Sequence, residues 1–460
     1  MSQCAPHYDG SYHVNDDRTD LMSDAGDPQV VDTGHDDYFD LPPSSPCVDV
    51  ADSQLLLPEA LTPSDVTPGV PSTFVPVTPT RLLDTRTGLG APAGRLAAGG
   101  SLRLAVAGRQ APGGAVPATA TAVVLNVTAL AAGSTDIRAY PAGSPVPNAS
   151  NVNASSGQTV PNQVSVPLGQ NGQVSLRSSG GPVHLLADIA GYYLPGTGAD
   201  GYAPLAPARV LDTRTGLGAP AGKLDAGGVR DLQATGALPT ADGGTVTVPA
   251  DASAVVLNVT GTVVTASTDV RVDPTPTGGD TSTATAPTVS NLNLTRGQTA
   301  ANLVTIKVGA GGAVRLRNKA GSLHLIADIA GYYAPGAPGR FLPVTPLRLL
   351  DTRNGTGAAP QPVAAGAPLL LAVAGDRGIP ADASAAALNL TATGVRANTY
   401  ITAYPAGGTQ VPTVSNLNLP RGSTRADAAI VRLGTGGKIV LRNDNGQTQL
   451  ITDIAGYFLP

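Results

Sequence analysis

The first candidate for chemistry is an Asp-Thr-Gly motif near the start of the chain. The range 30–34 reads Val-Val-Asp-Thr-Gly, which matches the nucleus of an aspartic protease. That chemistry requires a second carboxylate that shares a proton with the first. The sequence has no second Asp-Thr-Gly, and Asp84, Asp212 and Asp351 begin Asp-Thr-Arg instead. A homodimer could supply the missing carboxylate, but we predict that the chain is not an enzyme.

The same N-terminal segment holds both cysteines and several histidines. Cys4 and Cys47 could form a disulfide in an oxidising setting or cross-link two chains. No Cys-x-x-Cys or His-x-x-x-His spacing typical of zinc occurs, and no EF-hand loop. A Gly-rich phosphate loop before a helix and the Gly-x-Ser-x-Gly nucleophile motif are also missing. We therefore predict no metal and no cofactor.

A His–Asp pair recurs later in the chain. His184 and Asp188 return as His324 and Asp328, while Gln449 takes the place of the histidine in a third copy. Residues four apart in an extended strand are separated by about 13 Å. The sequence therefore predicts a histidine exposed on a strand rather than a catalytic pair.

These residues belong to three copies of one domain, because four sequence blocks return in the same order. We predict domains at 73–195, 202–335 and 341–460, joined by the short linkers 196–201 and 336–340. The blocks are RLLDTR at 81–86, RVLDTR at 209–214 and RLLDTR at 348–353; LNVT at 125–128 and 257–260 and LNLT at 388–391; SNVN at 150–153 and SNLN at 290–293 and 415–418; and DIAGY at 188–192, 328–332 and 453–457.

Each copy is predicted to be all-β. In the first copy the candidate strands are 80–85, 101–107, 121–129, 135–140, 163–168, 173–178 and 183–193, separated by Gly, Pro and Asn turn signals. The run 122–125 is apolar on both faces, which indicates a central strand. Seven or eight short strands favour a two-sheet β-sandwich or jelly roll, with a trefoil, prism or small barrel left open.

The polar residues of the repeat motifs are predicted to be structural. We expect the Asp-Thr-Arg motifs to form ion-pair and turn networks, with ligand binding by their arginines as the alternative. We expect the strand asparagines to bind neighbouring backbone, and the aspartates before Ile-Ala-Gly to cap turns. These residues are Asp84, Asp212 and Asp351; Arg86, Arg214 and Arg353; Asn126, Asn258 and Asn389; and Asp188, Asp328 and Asp453.

Charge separates an N-terminal arm from the repeats. Residues 1–72 carry 14 acidic residues and one basic residue, Arg18, whereas the whole chain has a net charge of −5. The arm has no clear apolar period, so we expect little regular structure there. It is either a solvated tail or an extended arm that docks on a partner or on the repeat array itself. The positive charge of the repeats is too dilute to predict nucleic-acid binding, and no apolar run is long enough for a membrane span.

The blocks RLLDTR, VVLNVT, SNLN, GxVxLR and DIAGYY resemble a tandem domain of actinobacterial extracellular proteins and of virion proteins from phages that infect those hosts. The resemblance covers 74–460 and implies location and architecture more than chemistry. Bacterial members usually follow a signal peptide, and none is visible before these copies. This favours a virion protein, a leaderless export route or a chain lacking its original N-terminus.

The sequence thus predicts a non-enzymatic structural or adhesive protein on a virion surface or outside a cell. It would be a head decoration, head fibre or tail-associated protein, oligomeric, with residues 1–72 as its anchor to a capsid, tail or cell surface. The alternative is a secreted surface protein that binds cell wall or host glycan. Sugar sites commonly use aromatic side chains, and the chain has no Trp, so Tyr140 and Tyr404 are the candidates.

Overall fold

The computed structural model describes residues 69–279 and 288–460, and two paired backbone strands before them. These strands are β1 (Val31–His35) and β2 (Tyr38–Asp40). The chain forms two compact units, Met1–Thr62 and Pro63–Pro460. Cys4, Cys47, the remainder of the arm up to residue 68 and the side chains of the Asp-Thr-Gly motif lie outside the described residues, so the predictions about them stay predictions.

The second unit contains three similar sets of strands. The first set is β3 (Ser72–Asp84), β4 (Ser101–Ala105), β5 (Gln110–Ala111), β6 (Gly114–Ala115), β7 (Ala122–Ala131), β8 (Thr135–Pro141), β9 (Val152–Ala154), β10 (Thr159–Pro167), β11 (Gln173–Ser178) and β12 (Val183–Pro195). The second set is β13 (Gly201–Asp212), β14 (Val229–Gln233), β15 (Gly236–Pro239), β16 (Thr245–Val248), β17 (Ala254–Thr262), β18 (Thr268–Pro274), β19 (Leu292–Leu294), β20 (Ala300–Lys307), β21 (Ala313–Asn318) and β22 (His324–Ala334).

The third set is β23 (Arg340–Asp351), β24 (Val363–Ala364), β25 (Pro368–Ala372), β26 (Ala385–Thr393), β27 (Thr399–Pro405), β28 (Leu417–Leu419), β29 (Arg425–Arg432), β30 (Lys438–Asn443) and β31 (Gln447–Leu459). Short 3₁₀ turns lie at Gln170–Gly172, Thr277–Gly279, Ala310–Gly312 and Thr435–Gly437. Within the described ranges, no helix has the length and apolar character that a membrane crossing requires.

Each set forms a sandwich of two antiparallel layers with four main strands each, and the pairing of β3 with β23 joins one layer of the first sandwich to one layer of the third in a nine-stranded sheet. In the first, one sheet has the order β10-β7-β12-β3 and the other β4-β11-β8-β9. Both sheets contribute to one core, in which Leu104 and Leu176 meet Leu125 and Leu185. The second and third sandwiches repeat this arrangement around cores of their own. The prediction of an all-β sandwich fold is therefore confirmed.

Strand β7 is apolar on both faces because each face packs into a different hydrophobic cluster. In β7, Val123 and Leu125 point into the sandwich core, whereas Ala122 and Val124 lie in a separate cluster that all three sandwiches share. Successive side chains of a strand alternate between its faces, so a strand buried on both sides must be apolar throughout. β7 is a central strand between β10 and β12, as predicted, and its second apolar face marks an interface between sandwiches.

The three sandwiches close into a ring. Backbone pairing joins Phe74 to Asp200, Tyr202 to Gly339 and Phe341 to Ser72. Asp200 and Gly339 lie in the two linkers, whereas Ser72 precedes the first repeat. In each pair, the aromatic residue at the start of one sandwich pairs with the residue two positions before the corresponding aromatic residue of another sandwich. The unit is thus a single chain arranged like a trimer, with a pseudo-threefold axis through its centre.

Candidate functional site

Six aromatic rings surround one end of the pseudo-threefold axis. Between sandwiches, Phe74 lies 4.3 Å from Tyr333, Tyr202 lies 4.5 Å from Phe458 and Phe341 lies 4.3 Å from Tyr193, measured between ring centroids. The two rings within each sandwich are 4.9 to 5.1 Å apart. Aromatic pairs at such distances stabilise a contact beyond the apolar area that they bury. The rings therefore hold the three sandwiches together as one body.

A glycine beneath each of three rings makes this packing possible. A Cβ atom at Gly191 would overlap the ring of Phe74, and Gly331 and Gly456 lie in the same way under Tyr202 and Phe341. This gives the glycine of the repeated Asp-Ile-Ala-Gly-Tyr block a physical role. Its missing side chain leaves the space that the aromatic ring of the first strand occupies.

The repeated strand asparagines connect each sandwich to another. Asn126 Nδ2 donates to Ser290 O at 2.8 Å, and Asn389 Nδ2 donates to Ser150 O at 2.7 Å. Asn258 Nδ2 donates to Ser415 O in the equivalent position. The asparagines bind backbone, as expected from their types, but the backbone belongs to a different copy. The Leu-Asn-x-Thr and Ser-Asn blocks therefore meet across the interface.

A second set of polar side chains lies deeper along the axis. Asn162 Nδ2 donates to Asn389 Oδ1 at 3.0 Å, and Asn302 Nδ2 donates to Asn126 Oδ1 at 3.0 Å. The corresponding position in the third copy is Asp427. Sequence reasoning missed these residues, although the aligned blocks after Gly-x-Thr show Asn, Asn and Asp at one position.

Asp427 interrupts this repeating pattern of hydrogen bonds between copies. Its Oδ1 accepts from Leu303 N at 3.2 Å, while its Oδ2 and the facing copy's Asn258 Oδ1 are buried without a hydrogen-bond partner. A carboxylate has no proton to donate to an amide oxygen. Burial raises the pKa of Asp427 well above its ordinary value, and hydrogen bonds from backbone and the charge of Arg425 only partly oppose the shift. A proton on Asp427 would supply the missing donor.

The Asp-Thr-Arg motifs form the expected ion-pair and turn networks. Asp84 accepts from Arg86 Nε at 2.9 Å and Nη2 at 2.6 Å, and its carbonyl accepts from the turn that follows. Hydrogen bonds from Arg86 hold the pKa of Asp84 below its usual value, although burial opposes them. Asp212 with Arg214 and Asp351 with Arg353 repeat this geometry. Each arginine proposed for binding thus has its guanidinium occupied by its own aspartate.

The aspartates of the Asp-Ile-Ala-Gly block do not cap turns, contrary to the prediction. Asp188 lies in the middle of β12, and its Oδ1 accepts from Arg81 Nε at 2.7 Å. Arg81 Nη1 also lies 3.5 Å from Asp84 Oδ2. Asp328 and Asp453 bind Arg209 and Arg348 in the same manner. Burial raises the pKa of Asp188, although the hydrogen bonds from Arg81 oppose the shift. The block extends the Asp-Thr-Arg network across two neighbouring strands.

The recurring histidines bind a threonine of the same network. His184 Nδ1 lies 3.1 Å from Thr85 Oγ1, and His324 lies at the same distance from Thr213. In the third copy the Gln449 side chain accepts from the hydroxyl of Thr352. A glutamine that replaces histidine in one copy preserves the contact, so this position needs a hydrogen-bonding side chain rather than a titrating one.

The tyrosines proposed as sugar platforms are buried. Tyr140 is 5% exposed and Tyr404 is 8% exposed. Tyr404 packs against Ala406 and Val440 and lines a cavity of about 480 Å³ together with Pro207 of another copy. The residue that replaces them in the second copy, Asp273, is buried and bonded to Arg317. Both candidate tyrosines are thus largely buried, and their role in sugar binding stays a prediction.

A larger cleft of about 660 Å³ has walls from all three copies. The first copy contributes Gln158, the second Arg296 and Gln298, and the third Arg425. Arg425 also lines the small cavity where β10, β20 and β29 converge. The sequence prediction missed this cleft, because its residues come from parts of the chain that lie far apart.

Comparisons with known proteins identify no family. No family model matches the chain, and no curated protein matches it. Among solved structures, the chain is similar to the N-terminal CBM22-1-CBM22-2 tandem domain of Paenibacillus barcinonensis Xyn10C. The two are 13% identical, the match covers 56% of this chain and 100% of the other, and the TM-score is 0.18. A triple jelly roll protein of an archaeal virus turret assembly is 9% identical, covers 85% of this chain and 90% of its own, and has a TM-score of 0.17. A structure of Sulfolobus Turreted Icosahedral Virus is 10% identical. The match covers 84% of this chain and 91% of the other, with a TM-score of 0.16. At these scores none of the three bears on what the chain does.

Proposed function

We propose that this chain is a non-enzymatic structural protein displayed on a surface, most specifically a component of an actinobacterial phage virion. In this role residues 73–460 form the displayed body as a head decoration, head fibre or tail-associated protein. Residues 1–72 contain the anchor to a protein scaffold. The resemblance of the repeat blocks to actinobacterial extracellular and virion proteins supports the proposed location.

The observation that carries the structural part is the closed ring of three sandwiches. The repeated residues with distinctive chemistry bind one another: aromatic rings to aromatic rings, asparagines to another copy's backbone, and arginines to aspartates. In many proteins such a body arises from three separate chains. Covalent linkage removes the concentration dependence of that assembly. A body that cannot dissociate into subunits suits a protein that must persist outside the cell.

Mass spectrometry of separated fractions tests the location. We expect peptides from both the arm and the repeats in purified phage particles. Recovery from culture supernatant or cell wall alone, with the arm trimmed, would refute the virion assignment in favour of a secreted bacterial surface protein. Cytosolic recovery alone would refute both locations.

Truncation tests the anchor, and the structure fixes where it must stop. Residues up to Thr62 form a compact unit of their own, whereas Gly69 N donates to Pro343 O and Ser72 pairs with Phe341. A chain that begins at residue 63 should fold and fail to enter particles. Normal incorporation of this folded chain would refute the anchor. A chain that begins at residue 73 is the informative comparison, because it should lose stability as well through the loss of ring closure.

A further inference from the structure

The cleft on the pseudo-threefold axis contains a cation that the other two copies lack. Arg425 occupies the position that corresponds to Val160 in the first copy and Ala300 in the second. Both of these apolar side chains are buried, with exposed fractions of 7% and 6%. An arginine therefore replaces an apolar residue at the point where β10, β20 and β29 meet.

Within the described part of the chain, the guanidinium of Arg425 forms no hydrogen bond and no ion pair. Asp427 is two residues away on the same strand, but its Oδ1 accepts from Leu303 N and its carboxyl forms no ion pair with Arg425. Removing a cation from water without a partner costs free energy, so an anion at this position would be bound favourably.

The rest of the cleft offers hydrogen-bond donors in fixed orientations. Gln158 Oε1 accepts from Ser155 N at 3.1 Å, and Gln298 Oε1 accepts from Thr295 N at 2.9 Å. These bonds fix each amide plane and leave the Nε2 donors for another partner. Among the residues that line the cleft, Lys319 forms an ion pair with Asp269. The remaining lining combines amide, hydroxyl and guanidinium groups with the apolar side chains of Val160, Leu294, Ala320 and Pro420, so it offers a ligand both polar and apolar contacts.

We propose that this cleft binds an acidic saccharide, with Arg425 binding the carboxylate or phosphate group and the two glutamines binding hydroxyls. Arginine binds planar and tetrahedral oxyanions through two parallel hydrogen bonds. The volume of about 660 Å³ lies within the range of small-molecule sites. This site goes beyond the structural role proposed above and does not depend on whether the protein enters a virion.

Isothermal titration calorimetry on the full chain tests the proposal with trigalacturonic acid, neutral galactotriose, glycerol 3-phosphate and inorganic phosphate as probes. We expect trigalacturonic acid to bind and galactotriose to bind weakly or not at all. The affinity should fall as salt is added, because the contact is ionic. Stronger binding of glycerol 3-phosphate than of inorganic phosphate would assign the anion to a phosphate on a polyol. Binding of inorganic phosphate alone would overturn the saccharide assignment, and failure of all probes would overturn the site.

Substitution of the arginine localises the binding. Arg425→Val places the first copy's residue in the third copy and should weaken binding by on the order of tenfold or more, given the strength of charged hydrogen bonds. Arg432→Val removes the same charge from the far end of β29 and should leave the affinity unchanged. Arg425→Lys keeps the charge without the planar fork, and it should also bind more weakly even if the valine variant fails to fold. Unchanged affinity in either Arg425 variant would refute the assignment.

Discussion

Replacing Asp427 with asparagine should stabilise the protein at neutral pH. In the other two copies an asparagine Nδ2 at this position donates to the facing Asn389 or Asn126. The carboxyl at Asp427 leaves its own Oδ2 and Asn258 Oδ1 without a partner. A buried polar group left unsatisfied costs about 1–3 kcal/mol. Asp427→Asn should therefore raise the free energy of unfolding at neutral pH by about 1–3 kcal/mol.

The pH dependence should identify the cause. Burial raises the pKa of Asp427 in the folded protein, whereas the unfolded chain has an ordinary aspartate with a value near 3.8. The folded state therefore binds more protons, so the stability contributed by this group is complete below the unfolded pKa and is lost as the pH rises toward the folded pKa. One such group changes the free energy by at most about 1.4 kcal/mol per pH unit. Asp427→Asn should remove this decline.

Urea unfolding followed by circular dichroism between about pH 4 and about pH 8 measures both effects. The difference between the variant and the parent chain should be small at the acid end and grow as the pH rises. Asn302→Asp provides the matched control, because it places a carboxyl at the equivalent position opposite Asn126. That variant should lose stability and acquire a steeper decline. A pH-independent difference for Asp427→Asn, or no difference, would refute the reasoning.

Two further substitutions test the packing and the hydrogen bonds of the repeats. Gly191→Ala should lower the free energy of unfolding by about 1–3 kcal/mol, because its Cβ would overlap Phe74, while Gly198→Ala, which meets open space in a linker, should change it little; equal urea midpoints for the two variants would contradict the proposed packing. His184→Gln should retain stability, since Gln449 makes the equivalent contact, whereas His184→Ala should cost about 0.5–1.5 kcal/mol; thermal unfolding that shows equal losses for both would indicate that the hydrogen bond contributes nothing.

The sequence determined the class of fold because its evidence is local. Gly, Pro and Asn turns and short apolar runs predicted the strands. The run 122–125 predicted a central strand, and β7 does lie between β10 and β12. The short strand at Val152–Ala154 was missed, since three residues show no alternation. The first strand begins at Ser72 rather than at the predicted 80, because two prolines obscure its pattern.

The tertiary structure alone decided how the three copies combine. Asn126 is recognisable in the sequence as a polar residue in an apolar strand, but only the fold shows that it binds Ser290, which lies 164 residues away. Likewise, Asp188 before Gly and Tyr predicted a turn, and only the register of β12 against β3 places it beside Arg81. The spacing of residues along a strand is set by local geometry and can be read from the sequence. Contacts across the pseudo-threefold axis depend on how the three sandwiches pack against one another. No local sequence pattern contains that information.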